Sequence, residues 1–166
     1  MRPRYGFLTV LFAGVSAFSS LPAYAQSLPK PFVAYDDELK NGWQNYSWAK
    51  VELSVPAGGA KPIKVSGDAW SGLSLHHDAF STAGFSKVTF HINGGGTGGQ
   101  ELMVKVMIDG KPVEANYVIS PKAKTWALVE VPLKDIGAQD KIIDGIVVQG
   151  KETPYSAYYV TRIQLE

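Results

Sequence analysis

The sequence predicts an all-β protein: a single domain built as a two-sheet antiparallel β-sandwich with jelly-roll connections. Three observations carry that prediction. Beyond the first 25 residues the chain breaks into short runs rich in Val, Ile, Thr and aromatics. Gly, Pro, Asn and Asp cluster between those runs, as turns require. No stretch has the caps and the 3.6-residue apolar period of a helix three turns long.

Taken in order, the first element is a leader. Arg2 and Arg4 precede the apolar stretch "FLTVLFAGVSAF", and Ala23-Tyr24-Ala25 follows it. This is the layout of a secretory signal peptide over residues 1–25, with cleavage expected after Ala25. The stretch is shorter than the roughly 20 apolar residues of a spanning helix, and no later segment approaches that length. The expected location is therefore secreted or periplasmic, without membrane insertion. Residues 26–166 form the expected single domain, large enough to bury a core without staples.

The strand candidates follow as "YSWAKVELS", "IKVSGDAWSGLSLHH", "KVTFHIN", "ELMVKVMID", "VEANYVIS", "TWALVEVPL", "IIDGIVVQ" and "YYVTRIQLE". Eight to ten strands at this spacing suit a sandwich. The segment "LKDIGAQDK" makes at most a helical turn. Alternation assigns sides within the runs: Val88, Phe90 and Ile92 share one face, as do Leu102, Val104, Val106 and Ile108. These seven are expected in the core, on two paired strands of one sheet.

Composition excludes several classes. The chain has 16 basic and 15 acidic side chains, and loss of Arg2 and Arg4 with the leader leaves the two nearly balanced. No field remains to draw nucleic acid or an anionic membrane surface. There is no cysteine, which removes thiolate metal sites, a cysteine nucleophile and a disulfide framework.

"HINGGGTGGQ" contains a literal G-x-G-x-x-G at Gly94, Gly96 and Gly99. A dinucleotide loop must open a helix whose N-terminal amides hold the pyrophosphate, whereas a strand of period two follows here. The segment is expected to be a long hairpin loop, either slack and exposed or left bare so that a ligand can approach between Asn93 and Gln100.

Outward positions are the candidates for function. In "YSWAKVEL", Ala49, Val51 and Leu53 set the inward register and leave Tyr46, Trp48 and Lys50 outside. In "AWSGLSLHH", Leu73 and Leu75 point inward and leave Trp70, Gly72, Ser74 and His76 outside. A shallow groove about 20 Å long with an aromatic end is implied, at roughly 3.3 Å per residue. Exposed aromatics usually have a partner, and a sugar ring suits them: its C–H face stacks on an indole while its hydroxyls seek polar neighbours. Trp48 and Trp70 are the expected stacking platforms. Tyr46, His76, Asn93 and Gln100 are the expected hydroxyl partners, and Trp43 in "KNGWQNYSW" is a further candidate. The opposite outcome, in which a loop covers this face and makes the indoles satellite core, stays open. Trp126, in a mostly apolar run, is expected in the core.

Chemistry is weakly represented. His76 and His77 are adjacent in a strand and point to opposite faces, so they do not share a metal ion easily; His77 is expected at the rim of the core. A Gly-x-Ser-x-Gly elbow is absent. The acids Asp36, Asp37, Glu38, Asp135, Asp140 and Asp144 do not single out a pair spaced for glycoside hydrolysis. The first trio could contribute oxygens to calcium, given others from elsewhere.

Together "VAYDDELKNGWQNYSW", "WSGLSLHH", "FSKVTFHINGGGTGGQELMVKV", "TWALVEVPL" and "AYYVTRIQLE" resemble secreted jelly-roll modules of the carbohydrate-binding type, often appended to glycoside hydrolases. The resemblance spans nearly the whole expected mature chain. It implies a noncatalytic, lectin-like β-sandwich that binds polysaccharide or oligosaccharide through surface aromatics. It also implies a structural calcium near the first and last strands. Asp36 and Asp37 suit the front of such a site, but Thr161 and Arg162 stand where paired aspartates would close it. A structural or protein-interaction domain of the periplasm or cell surface, with a protein partner on the same face, is the alternative; a small glycosidase or lyase is a third.

Overall fold

The computed structural model describes residues 27–166; the expected signal peptide lies outside the described residues. Thirteen strands run in sequence: β1 (Phe32–Asp36), β2 (Glu38–Leu39), β3 (Gln44–Asn45), β4 (Lys50–Glu52), β5 (Ile63–Gly67), β6 (Gly72–Ser81), β7 (Lys87–Asn93), β8 (Leu102–Ile108), β9 (Lys111–Pro112), β10 (Val118–Ile119), β11 (Trp126–Pro132), β12 (Ile142–Gly150) and β13 (Tyr155–Leu165). The one helical piece among them is a single 3-10 turn over Leu133–Ile136, inside the segment expected to hold at most that.

Two antiparallel sheets face each other. One has the order β11-β7-β13-β1-β2, with β5 also pairing β13 and β4 pairing β5; the other runs β10-β8-β12-β6-β3, with β9 on β8. The eleven-residue β13 organises the first sheet, because one of its edges meets β7 while the other is divided between β5 and β1. Apolar side chains at alternate positions of both inner faces close the core. Ile63, Val65, Leu73, Leu75, Val104, Val106, Ile146, Val148, Val160 and Ile163 are all buried, as the period-two pattern of half-buried strands requires.

Six of the seven residues assigned to the core from alternation are buried, and Ile108 packs partly exposed against them. Their pairing differs from the expectation. β7 belongs to the first sheet and β8 to the second, so the two strands face one another across the core. The glycine-rich segment is thus a crossing between sheets and not a hairpin.

That crossing is packed, not slack. An added Cβ at Gly94 would stand 2.7 Å from the carbonyl oxygens of Pro121 and Lys122, and one at Gly95 would stand 2.1 Å from that of Ala157. Gly95 also has φ +65°, a region that glycine enters without steric cost. Gln100 completes the closure: it is 5% exposed, and its Nε2 donates to the Gly94 carbonyl at 2.9 Å and to that of Ser156 at 3.2 Å.

Trp43 also departs from the expectation, lying in the core at 3% exposure. The turn over Asn41 and Gly42, both at positive φ, folds the chain back. It sets the indole 5.8 Å from the Phe32 ring, 5.7 Å from Phe80 and 5.3 Å from His77. His77 sits at the rim as expected, its Nδ1 and Nε2 within hydrogen-bond distance of the carbonyls of Asp78 and Asn41. Trp126, by contrast, is 41% exposed. β11 is the outer strand of its sheet, and Val131 fixes its inward register. The alternate positions Trp126, Leu128 and Glu130 therefore point outward.

Candidate functional site

The outer face of the second sheet gathers four of the sequence candidates. Tyr46, Trp48 and Trp70 are 57%, 47% and 49% exposed, and His76 lies beneath Tyr46. The strand expected through Tyr46 to Leu53 forms only at Lys50–Glu52. Upstream of it the chain follows the edge of β6 irregularly: the amides of Tyr46 and Trp48 donate to the carbonyls of Ser74 and Gly72 at 2.9 and 3.1 Å. Ser47 Oγ accepts from the Ser74 amide at 2.9 Å, which explains why Ser74, expected outside, is buried.

The Tyr46 and Trp48 rings are held by specific contacts, and Trp70 is fixed through its backbone. Tyr46 stacks on His76 with centroids 4.4 Å apart and planes 15° from parallel. Trp48 lies over Gly72, so close that an added Cβ would stand 2.9 Å from its Cζ2. The Trp48 Nε1–H donates to the Trp70 carbonyl at 2.8 Å, and Gln149 Nε2 donates to the same oxygen at 2.9 Å. Trp70 itself has φ +65°, an unusual region for a bulky side chain. Its amide donates to the Lys151 carbonyl at 2.8 Å.

A second layer fixes the loop that carries Trp70. Ser71 Oγ donates to the Asp68 carbonyl at 2.7 Å, and the Tyr155 hydroxyl donates to the Ser71 carbonyl at 3.1 Å. Burial pushes the Tyr155 phenol above its usual range, with the Ser71 hydrogen bond acting the other way. It stays a neutral donor at physiological pH.

The inner strands of this sheet lie beside the face and are largely covered, with Met103, Lys105 and Val147 buried. Register places Gln149 beside Gly72, Val147 beside Ser74 and Gly145 beside His76; on β8 it places Met103, Lys105 and Met107 opposite Gln149, Val147 and Gly145. Lys105 is 5% exposed, with its ammonium 3.6 Å from Glu114. Glu101 lies 3.7 Å from the Lys151 ammonium. Sequence reasoning had not singled out Gln149, Lys105 or Met103. The signal was present in "ELMVKVMID" and "IIDGIVVQ", as the residues alternating with their inward sets.

Other candidates do not join this face. Trp43 is in the core, and Gln100 is consumed in clamping the inter-sheet crossing. Asn93 lies on the opposite side of the sandwich, on the outer face of the first sheet, where its Oδ1 accepts from the Gly95 amide at 2.9 Å.

Asp36 and Asp37, the candidates for calcium, lie at the β1–β2 turn. Asp37 occupies the β1–β2 turn at φ +58°, and its Oδ1 accepts the Lys61 amide at 2.7 Å. Asp36 is exposed and sits opposite Glu38 in register. Among the described residues, no three His, Cys, Asp or Glu side chains group as a metal site would require.

The arrangement is a shallow aromatic strip with amide and hydroxyl groups between the rings, which suits an extended ligand with alternating apolar and polar surface. No protein-family model matches the chain. Among curated proteins it is similar to an endoglucanase of Dictyostelium discoideum, 26% identical over 141 residues, covering 78% of this chain and 20% of the relative. The chain thus spans about one fifth of the length of the curated relative it matches. Among solved structures, a family 29 carbohydrate-binding module superposes with a TM-score of 0.59 at 15% identity, over 81% of this chain and 86% of that one. A variant of such a module in complex with mannohexaose gives 0.60 at 14% identity, over 81% and 89%. Another, in complex with cellulohexaose, gives 0.59 at 15%, over 80% and 87%. At this level of identity the likeness is one of fold: the chain has the two-sheet sandwich of the carbohydrate-binding modules.

Proposed function

We propose that this chain is a secreted, noncatalytic module that binds a polysaccharide along the outer face of its second sheet. The observation that carries the reading is a set of three solvent-exposed aromatic rings, Tyr46, Trp48 and Trp70, the first anchored by a stack, the second by a ring hydrogen bond and the third by its backbone. Preorganised rings lose little freedom on binding, so more of the stacking energy appears as affinity. Sugar C–H faces would rest on the two indoles, with the Tyr46–His76 stack forming the far end. Gln149 and the rim pair Glu101–Lys151 are placed to meet hydroxyls. Glu101 and Glu114 each lie beside a lysine ammonium. Cellulose-like and mannan-like chains are the first to try, because solved modules of this fold were determined with cellulohexaose and mannohexaose.

Pull-down on insoluble cellulose and mannan, with Trp48→Ala and Trp70→Ala variants beside the native chain, tests the proposal. Loss of retention in both variants and release by soluble hexasaccharide are expected. Retention unchanged in both would remove this face, and retention that soluble sugar leaves intact would point to a protein contact instead.

A further inference from the structure

The outer face of the first sheet carries a second groove that the reading above does not use. Register places Trp126, Asn93, Tyr159 and Lys64 in one row across β11, β7, β13 and β5. Leu128, His91 and Thr161 form the next row. A recess of about 250 Å³ lies between Trp126, Tyr159, Asn93 and Lys124. A neighbouring recess of about 190 Å³ is floored by His91 and Thr161 and bounded by Arg162. Both recesses are walled by Trp126 and Ala57, so they form one groove with a 41% exposed indole in the middle.

Two features point to an occupant. Thr161 is only 5% exposed, yet its Oγ1 has no hydrogen-bond partner, and buried Nδ1 of His91 has none either. Native proteins rarely leave such atoms unpaired, because burial without a partner costs the hydration they gave up. Both residues line the floor of the second recess, and a rotamer change at either side chain would bring its unpaired atom to a ligand hydroxyl there. The second feature is charge. Arg162 stands at one end and Lys124 at the other, no carboxylate lines either recess, and neither cation forms an ion pair among the described residues.

We propose that this groove is a second saccharide site, separate from the Trp48–Trp70 face, and that it takes a sugar bearing a carboxylate, a uronic acid. The ring rests its C–H face on Trp126. Its hydroxyls meet Asn93 and, once their side chains turn toward the recess, Thr161 and His91, and its carboxylate takes the Arg162 guanidinium, whose fork matches two carboxylate oxygens. The Trp48–Trp70 face has no arginine and is rimmed by ion-paired acids, so the two sites differ in the ligand they prefer.

The four indole N–H resonances of Trp43, Trp48, Trp70 and Trp126 report on the two faces separately in an amide correlation spectrum of the 15N-labelled protein. Trigalacturonate and mannohexaose serve as the probes. The uronate is expected to shift the Trp126 resonance and leave those of Trp48 and Trp70 in place. Trp126→Ala is expected to weaken uronate binding at least tenfold, and Arg162→Gln at least fivefold, while both keep native affinity for the neutral hexasaccharide. Thermal denaturation confirms that each exposed-site variant folds. A Trp48→Ala/Trp70→Ala double variant keeps its uronate affinity even if the first face proves not to bind glycan at all. A uronate that shifts no Trp126 signal overturns the proposal, as does one whose affinity is unchanged in both Trp126→Ala and Arg162→Gln, or is lost in the double variant.

Discussion

Gly72→Ala tests whether the aromatic strip is held in place or merely present. The alanine Cβ would stand 2.9, 3.2 and 3.3 Å from Cζ2, Cε2 and Cη2 of Trp48. Since carbon atoms settle at about 3.5 to 4 Å, the indole must lift by about 0.6 Å or more. It cannot lift freely, because its Nε1–H is bound to the Trp70 carbonyl at 2.8 Å. Loss of that hydrogen bond costs about 1 kcal/mol of folding stability, and a tilted indole forfeits part of its stack on the ligand, about 0.5 to 1 kcal/mol. The second loss predicts a roughly 2- to 5-fold fall in affinity, at about 1.4 kcal/mol per factor of ten. The backbone at Gly72 is not at positive φ, so alanine is accepted there and stability should change by no more than about 1 kcal/mol. Isothermal titration with cellohexaose and mannohexaose, run on the native chain, Gly72→Ala and Trp48→Ala, measures the effect. If Gly72→Ala binds as tightly as the native chain while Trp48→Ala does not, the packing on Gly72 has no part in aiming the ring.

Two further predictions concern the interior. Trp43→Ala removes a core indole packed among Phe32, Phe80 and His77 and should cost about 3 to 5 kcal/mol in urea unfolding, with glycan affinity per folded molecule unchanged. The Tyr158 hydroxyl is fully buried with no hydrogen-bond partner, and burial pushes its phenol well above the usual range. The unfolded chain therefore ionises this tyrosine first, so its contribution to stability is complete below pH 10 or so and is lost above it, at about 1.4 kcal/mol per pH unit. Tyr158→Phe should match or exceed the native stability at pH 7, and its advantage should widen above pH 10 in denaturant titrations; a constant difference would refute the argument.

The inner faces of the sandwich were legible because alternation in a half-buried strand reports burial directly, as Leu73, Leu75, Val88, Phe90 and Ile92 show. Alternation does not report partners. Strands that pair in one sheet and strands that face each other across a core give the same inward pattern, and that is why β7 and β8 were assigned to one sheet. The tryptophans divide along the same line. The Leu73–Leu75 register places Trp70 outside and the Ala49–Val51–Leu53 register places Trp48 outside; both indoles are exposed, although the strand forms only at Lys50–Glu52 and Leu53 is exposed as well. Trp126 has the parity opposite to Val129 and Val131, which puts it outside, yet the apolar composition of its run suggests core. Trp43 stands in a turn with no period at all. Its burial depends on how the Asn41–Gly42 turn folds back onto Phe32, which no local pattern encodes.

Backbone conformation adds an independent argument for two functional faces. Among the described residues, eight other than glycine have positive φ, and five of them are Asp37, Asn41, Ser54, Asp109 and Asp140. Those are short polar types, and aspartate and asparagine in particular enter the left-handed region readily because their side chains bond to the local backbone. The other three are Trp70, Lys124 and Arg162, for which that region costs about 1 to 2 kcal/mol each without such relief. A turn that needed only the conformation would be better served by glycine or asparagine. All three instead carry side chains that a ligand could use: Trp70 on the aromatic strip, and Lys124 and Arg162 at the two ends of the groove beside Trp126. These three positions fall on both outer faces of the sandwich, where the two proposed sites lie.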